Sequence, residues 1–351
     1  MRLLVIKPSS LGDVVHAFPA VDMLRRHLEN ELESLTWVVN DSLAGILGMF
    51  PCVDRIVKFP RSRIWHGDAR KAFLEDLRKE QYDVSIDFQG LLRSGLMSWA
   101  SRAPRRIGFS TGREFSPLFY TEKYAPVEKK HRHAVEKNGD LVRQAFPGCG
   151  ELQIPDLNVN PDWLATADQL LAECEGDGPV LAVGCSSRWP SKNWPTEFFS
   201  TVLDAVSSKR NNVRIWLLGA PDERPLCEQV VSGCKTAKPL NLAGKSNMWG
   251  LVGLLARSDA LLTNDSGPMH IAAALKKPCV ALFGATDPVL TGPYGPGLHT
   301  VFRSGCPKSP CFKKQCPLQG VKCNNWTDAE SVADALLTAL ERGKKSATSM
   351  K

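Results

Sequence analysis

The strongest constraint on this chain is a repeated alternation. Short apolar segments take turns with longer segments whose apolar residues recur at helical spacing. Arg2–Lys7, Thr36–Val39, Arg55–Lys58 and Val84–Asp87 read as strands. Between and after them, Val14–Arg26, Asp68–Lys79, Ser94–Ala100 and His133–Phe146 read as helices, with Pro19 near the first turns of its helix. Strands separated by helices form parallel sheets with helices on their faces, so the fold class is α/β.

The alternation stops once and restarts. Pro147-Gly148-Cys149-Gly150 opens the gap and Glu175-Gly176-Asp177-Gly178-Pro179 closes it. Gly and Pro in such runs end both helices and strands. A helix from Pro161 to about Cys174 lies inside the gap. A second run follows, with strands at Val180–Val183, Val213–Leu218, Ala260–Thr263 and Cys279–Phe283. Its helices are Thr196–Lys209, Arg224–Ser232, Met248–Arg257, Met269–Leu275 and Thr327–Arg342. The chain has 351 residues, and at roughly 150 residues per domain that is about two domains. The boundaries expected are 1–160 and 161–343, with 344–351 a polar, basic, disordered tail.

Charge narrows the partners. Lys and Arg number 44 against 37 Asp and Glu, a net +7. That suits an anionic substrate or a membrane surface and does not demand nucleic acid. Basic clusters fall mostly in the first half: Arg61, Arg63, Arg70 and Lys71; Arg102, Arg105 and Arg106; and Lys129 to His133. These are solvated faces or the seat of an acidic acceptor. No apolar run approaches the roughly 18 residues of a spanning helix. The first apolar segment is too short for a signal peptide, and eleven cysteines then imply reduced thiols in a cytoplasmic protein.

Loops after parallel strands are where α/β proteins place ligands. Lys7-Pro8-Ser9-Ser10-Leu11-Gly12-Asp13 follows the first strand and opens a helix. Asp13 is either a helix cap or a carboxylate able to take a proton from an attacking hydroxyl. The helix start favours its ionised form. Asn264-Asp265-Ser266-Gly267-Pro268-Met269-His270 joins a strand to a helix whose free amides suit a phosphate, with His270 one turn on. Its bland alternative is a capped helix with a packed histidine. In Arg188-Trp189-Pro190-Ser191-Lys192-Asn193-Trp194-Pro195, two Pro-flanked Trp residues can fix the loop around Lys192, a point charge for a departing diphosphate. Ser186 and Ser187 precede it as hydroxyl donors, and the alternative is a solvated lysine. Gly219-Ala220-Pro221-Asp222-Glu223 offers a carboxylate to ribose hydroxyls or, equally, to a helix dipole.

Several signatures are missing. Gly244-Lys245-Ser246 resembles the end of a phosphate loop, but position 239 is Pro where Gly is required. There is no Gly-x-Gly-x-x-Gly and no Asp-x-Asp. Cys306, Cys311, Cys316 and Cys323 stand wider apart than a zinc knuckle, which leaves a metal, free thiols or a facultative disulfide open.

Taken in order, Lys7–Asp13, Trp189–Pro195, Gly219–Glu223, Asn264–His270 and Phe283-Gly284-Ala285-Thr286-Asp287-Pro288 resemble the ADP-heptose:lipopolysaccharide heptosyltransferases, glycosyltransferase family 9. The resemblance runs from Leu4 to about Val332. It implies a GT-B architecture, two facing Rossmann-like domains with a central cleft, and inverting, metal-independent transfer of heptose to the lipopolysaccharide inner core. It makes Asp13 the base and Lys192 the phosphate contact. Glu223 would hold the ribose, and Asp265, Ser266, Gly267 and His270 the diphosphate and heptose. Ser186 and Ser187 sit where hydroxyl residues approach the phosphate. Ser10, Gly12, Arg61 and Arg63 are the expected acceptor contacts. No cofactor or metal is implied. The partners are an ADP-sugar and a lipid-linked anionic acceptor, with peripheral contact at the inner membrane, no nucleic acid and a monomeric chain. The last helix is a candidate to return to the first domain. Alternatives within reach of the motifs are a family 9 transferase of another nucleotide sugar, or a GT-B nucleotide-sugar epimerase.

Overall fold

The computed structural model describes residues 1–128, 131–172, 177–316, 318 and 328–348, the last few (344–348) as backbone only. The chain divides into two compact units, Met1–Asn158 and Val159–Lys351.

The first unit contains β1 (Arg2–Ile6), α1 (Leu11–Val15), α2 (Phe18–His27), β2 (Ser34–Asn40), β3 (Arg55–Phe59), α3 (Gly67–Leu77), β4 (Val84–Asp87), α4 (Leu92–Ala100), β5 (Arg105–Phe109), β6 (Glu122–Tyr124) and α5 (Ala134–Ala145). Its six strands are parallel, in the order β3-β2-β1-β4-β5-β6. Alternate residues of a strand share a face. Leu4 and Ile6 therefore join Val38, Val57 and Phe59 on one side, under Phe73 and Leu77 of α3 and Met97 of α4.

The second unit contains α6 (Pro161–Leu171), β7 (Val180–Gly184), α7 (Thr196–Lys209), β8 (Arg214–Leu217), α8 (Arg224–Gly233), β9 (Leu240–Asn241), α9 (Met248–Arg257), β10 (Ala260–Asn264), α10 (Gly267–Ala274), β11 (Cys279–Phe283), α11 (Pro288–Thr291), β12 (Thr300–Arg303) and α12 (Ala329–Thr348). Its parallel order is β12-β11-β10-β7-β8-β9. Counted from its own first strand, each sheet runs third, second, first, fourth, fifth, sixth. This is the Rossmann order, in which the progression of strands across the sheet reverses between the first and fourth strands. That switch point is β1/β4 in one unit and β7/β10 in the other.

Several expectations are corrected here. The helix expected over Val14–Arg26 is two helices, with Pro19 in the first turn of α2. Proline donates no N–H and crowds the carbonyl four residues back, so one continuous helix cannot pass it. The basic cluster Arg102, Arg105 and Arg106 loses two members to structure. Arg105 on β5 pairs with Glu122 at 2.7 Å and lies over the Phe146 ring. Arg106 donates to the carbonyls of Phe119 and Ala103. Arg132 is bound to Asp140, and His133 caps α5 by accepting from the Val135 amide; Lys129 and Lys130 lie outside the described residues. The backbone of α12 continues to Thr348, past the expected start of a disordered tail. Its sequence there carries no proline to stop it. The sequence left open a return of this helix to the first unit. Its apolar face is used within the second, where Val332, Leu336 and Leu340 join Val202, Leu203 and Val206 of α7 in the core.

Candidate active site

At the first switch point, β1 ends and the chain turns into α1. Lys7 is buried and donates from Nζ to the Phe88 carbonyl just beyond β4, at 2.9 Å. This ties the two strand ends together. Ser9 N–H donates to Gln89 Oε1 at 3.3 Å. Ser10 then donates twice to Asp13 Oδ2, from its amide at 2.9 Å and its hydroxyl at 2.8 Å. The cap reading of Asp13 is therefore real, and it fixes where the carboxylate stands. Gly12 lies inside α1 and is buried rather than forming a turn. Arg61 and Arg63 follow β3, two strands from β1, and are exposed.

One residue at this edge escaped sequence reasoning. Asp87 closes β4 and is fully buried. Its Oδ1 accepts from the amides of Gln89 and Gly90, and its Oδ2 accepts from the Tyr120 hydroxyl at 2.6 Å. Burial pushes its carboxyl above the ordinary range, against the pull of those bonds. It had no sequence signal because its partner is 33 residues away.

The second switch point is built around an ion pair. Lys192 Nζ stands 2.6 Å from Asp265 Oδ2, with the side chains 17% and 6% exposed. Charges so withdrawn from water are tolerable only when paired. Thr286 donates to the same Oδ2 at 2.6 Å. The Trp189 ring lies under the ammonium, 4.9 Å from its centroid. Trp194 is buried, and its amide donates to Asn264 Oδ1, whose Nδ2 donates to the Cys185 carbonyl. The two Trp residues fix the Lys192 loop, as the sequence suggests. Ser187 Oγ donates to the Asp265 carbonyl at 3.0 Å, so its proton serves the loop rather than an incoming oxygen. Ser186 is half-buried beside it.

Ser266 precedes α10 in an extended conformation, its hydroxyl 2.9 Å from Thr263 Oγ1. Gly267 opens the helix, Pro268 follows in its first turn, and His270 is buried. Glu223, after β8, accepts the Ala220 amide on Oε2 at 2.7 Å. Its capping role is thus filled, and the carboxylate stays at the carboxyl edge beside the β7 loop.

The cysteine-rich segment forms part of this architecture, which its spacing did not reveal. Ser191 donates from Oγ to the Lys313 carbonyl at 2.5 Å and from its amide to the Lys314 carbonyl. Ser309 donates to the Gly284 carbonyl and Phe312 to that of Ala285. Among the described residues, Cys306, Cys311 and Cys316 form no disulfide with one another, and Cys323 lies outside the described residues. Among the described residues, no group of three or more His, Cys, Asp or Glu side chains is placed to hold a metal.

The sequence profile of glycosyltransferase family 9 (heptosyltransferase) matches residues 70–322. A lipopolysaccharide heptosyltransferase 1 of Pseudomonas aeruginosa is 31% identical over 332 residues, covering 91% of this chain and 88% of that protein. The chain belongs to glycosyltransferase family 9. As a glycosyltransferase of this family it has the GT-B architecture, with two Rossmann-like units in one chain. A lipopolysaccharide heptosyltransferase 1 of Escherichia coli K12 is 29% identical, covering 84% of this chain and 91% of its own. The solved structure of the E. coli heptosyltransferase WaaC with ADP matches with a TM-score of 0.75 at 26% identity, over 98% of this chain and 100% of that one. A family 9 glycosyltransferase from Veillonella parvula matches with a TM-score of 0.82 at 23% identity, over 97% of both chains, a likeness of fold.

Proposed function

We propose that this glycosyltransferase moves heptose from ADP-heptose to the inner core of lipopolysaccharide, with inversion and without a divalent metal. The observation that carries the reading is the Lys192 ammonium, fixed by Asp265, Thr286 and Trp189 at the second switch point. A bare carboxylate there would repel a diphosphate. Bound to Lys192, Asp265 is instead a positioning residue that aims one cation. The names of the Pseudomonas and Escherichia relatives, and the ADP in the WaaC structure, support the donor and the acceptor class.

The step is a single displacement. Asp13, held by Ser10, takes the proton from an acceptor hydroxyl as its oxygen bonds to the anomeric carbon. The bond from that carbon to the diphosphate oxygen breaks on the opposite face, and ADP leaves. Lys192 and the amides opening α10 take up the charge growing on the diphosphate. Ser186 and His270 line the phosphate side, and Glu223 accepts from the ribose. Acceptor contacts are assigned to Ser10, Arg61 and Arg63, while Gly12, expected among them, is buried inside α1. The acceptor is lipid-linked, Kdo-lipid A or an already heptosylated core, so the enzyme works as a monomer at the cytoplasmic face of the inner membrane. No helix among the described residues is long and apolar enough to cross it.

The test is calorimetric titration with ADP, UDP, GDP and CDP in the presence of EDTA, on the native protein and on Lys192→Ala. Selective ADP binding, weakened by the substitution, is expected, followed by heptose transfer that EDTA leaves unchanged. Preference for another nucleotide overturns the heptose assignment, and loss of rate in EDTA overturns metal independence.

A further inference from the structure

The first unit leaves a row of large apolar side chains in water. On α4, Leu92, Leu96 and Trp99 recur at helical spacing along the outward face, with Trp99 59% exposed. The opposite face of the same helix is buried through Ser94, Met97 and Ser98. Beside it, Phe115 and Leu118 are 77% and 76% exposed. The two segments are joined. The Leu92 amide donates to Glu114 Oε2, the Arg113 amide donates to the Gly90 carbonyl, and Gly95 lies against Ser116 and Phe119 closely enough that a Cβ would collide. Scattered exposed apolar residues are ordinary, but a contiguous set on one face marks an interaction surface.

Its surroundings indicate the partner. Arg93 lies on α4, Arg102 just after it, Arg113 at the start of the 113–118 turn and Lys123 on β6, and none of them forms a salt bridge to a carboxylate among the described residues. Over the same stretch the carboxylates are Glu114 and Glu122, and Glu122 is taken by Arg105. A two-fold contact between copies of this face would set arginine against arginine, because each patch would meet itself. Exposed aromatic and aliphatic side chains rimmed by long cations suit the boundary between acyl chains and anionic headgroups. The row also starts at the right place. Leu92 follows β4 and Phe115 follows β5, on the carboxyl edge that carries the Asp13 loop.

We infer that the outer face of α4 and the 113–118 turn seat the enzyme on an anionic bilayer, with the Asp13 loop beside the lipid surface. Its link to catalysis rests on the proposed lipid-linked acceptor, whereas vesicle binding itself does not.

The experiment is flotation of the full chain with vesicles of phosphatidylcholine alone and of phosphatidylcholine with phosphatidylglycerol. The native protein should float with the anionic vesicles only. The double variant Leu96→Ser, Trp99→Ser should lose that binding at least about tenfold, since affinity follows buried apolar area. It should keep native circular dichroism and native ADP affinity. Arg93→Glu with Arg113→Glu should lose binding as well, and high salt should weaken the native protein. Failure of the native protein to float, or flotation of the double variant like the native protein, overturns the inference. So does a native dimer that the double variant converts to monomer, which would make the face a self-association surface. Vesicle binding through this face without heptose transfer would overturn the proposed activity and leave the inference standing.

Discussion

The two switch points use the same strand order and present opposite chemistry. After β1 the chain offers a carboxylate, Asp13, whose oxygen is held by its own neighbour Ser10. After β7 it offers an ammonium, Lys192, held by a residue 73 positions on in sequence, Asp265. A single Rossmann-like plan therefore places a capped carboxylate in one unit and a buried, paired ammonium in the other, the base and the charge sink of the proposed reaction. The first site is made locally, by a cap. The second is made across strands, by a buried ion pair. Local and non-local construction should respond differently to substitution.

The largest effect is expected at Asp13. Asp13→Ala should lower kcat by about a thousandfold, the range of a lost general base. Stability should fall by only about 1 kcal/mol, the value of a cap. ADP affinity, a property of the other unit, should not move. A comparable loss of ADP affinity would break the division of labour between the units.

Lys192→Ala comes next, at about a hundredfold in kcat, equivalent to ~3 kcal/mol of lost charge stabilisation. Unlike Asp13→Ala it should also cost about 3 kcal/mol in unfolding free energy, because Asp265 is left buried and unpaired. Adding Asp265→Asn should restore much of that stability and none of the rate. A double variant as unstable as Lys192→Ala would show that the pair does not govern the loop.

A pH prediction concerns the second unit alone. Burial drives His299 down to about 4, and both its ring nitrogens lack partners among the described residues. Its folded value thus lies below the unfolded one, and the unfolded chain binds the proton first as pH falls. Stability should decline between roughly pH 6.5 and 4, by on the order of 3 kcal/mol. His299→Leu should flatten that decline in urea unfolding at pH 7 and pH 5. An unchanged decline would place the titration elsewhere. The smallest effect is Thr286→Val, which removes one bond to a charged oxygen and should cost about 1.5–3 kcal/mol, at the low end because Lys192 still holds that oxygen. Its rate should fall less than that of Lys192→Ala, since the ion pair survives.

The same contrast explains what the sequence discloses. The strand–helix alternation is written in local periodicity, so both sheets are legible from it. β5, β6, β9 and β12 are not: β6 has three residues and β9 two, too few to show a period, and β5 and β12 carry arginines that break the apolar run. Asp13 is legible as a helix-start residue, but the N-cap proves to be Ser10, with Asp13 three residues on closing the box. The Lys192 loop is half legible: its Trp residues announce rigidity, while Asn264 and Thr286, which complete it, lie 70 and more positions away. Asp87 and Tyr120 meet only once β4 and β5 have paired. The arginines of β5 look like a free basic patch until Glu122 and Phe146 arrive from later in the chain.

Ser191 hangs its loop on the Lys313 carbonyl, 122 residues downstream. During synthesis the first unit can fold with Asp13 already held by Ser10, whereas the cradle of Lys192 waits until almost the whole chain has been made. Domains generally fold as they emerge, N-terminal first. A nascent or C-terminally clipped chain would carry a finished Asp13 cap and an unfinished Lys192 cradle, so on the proposed reaction it would hold its base before it could hold a diphosphate.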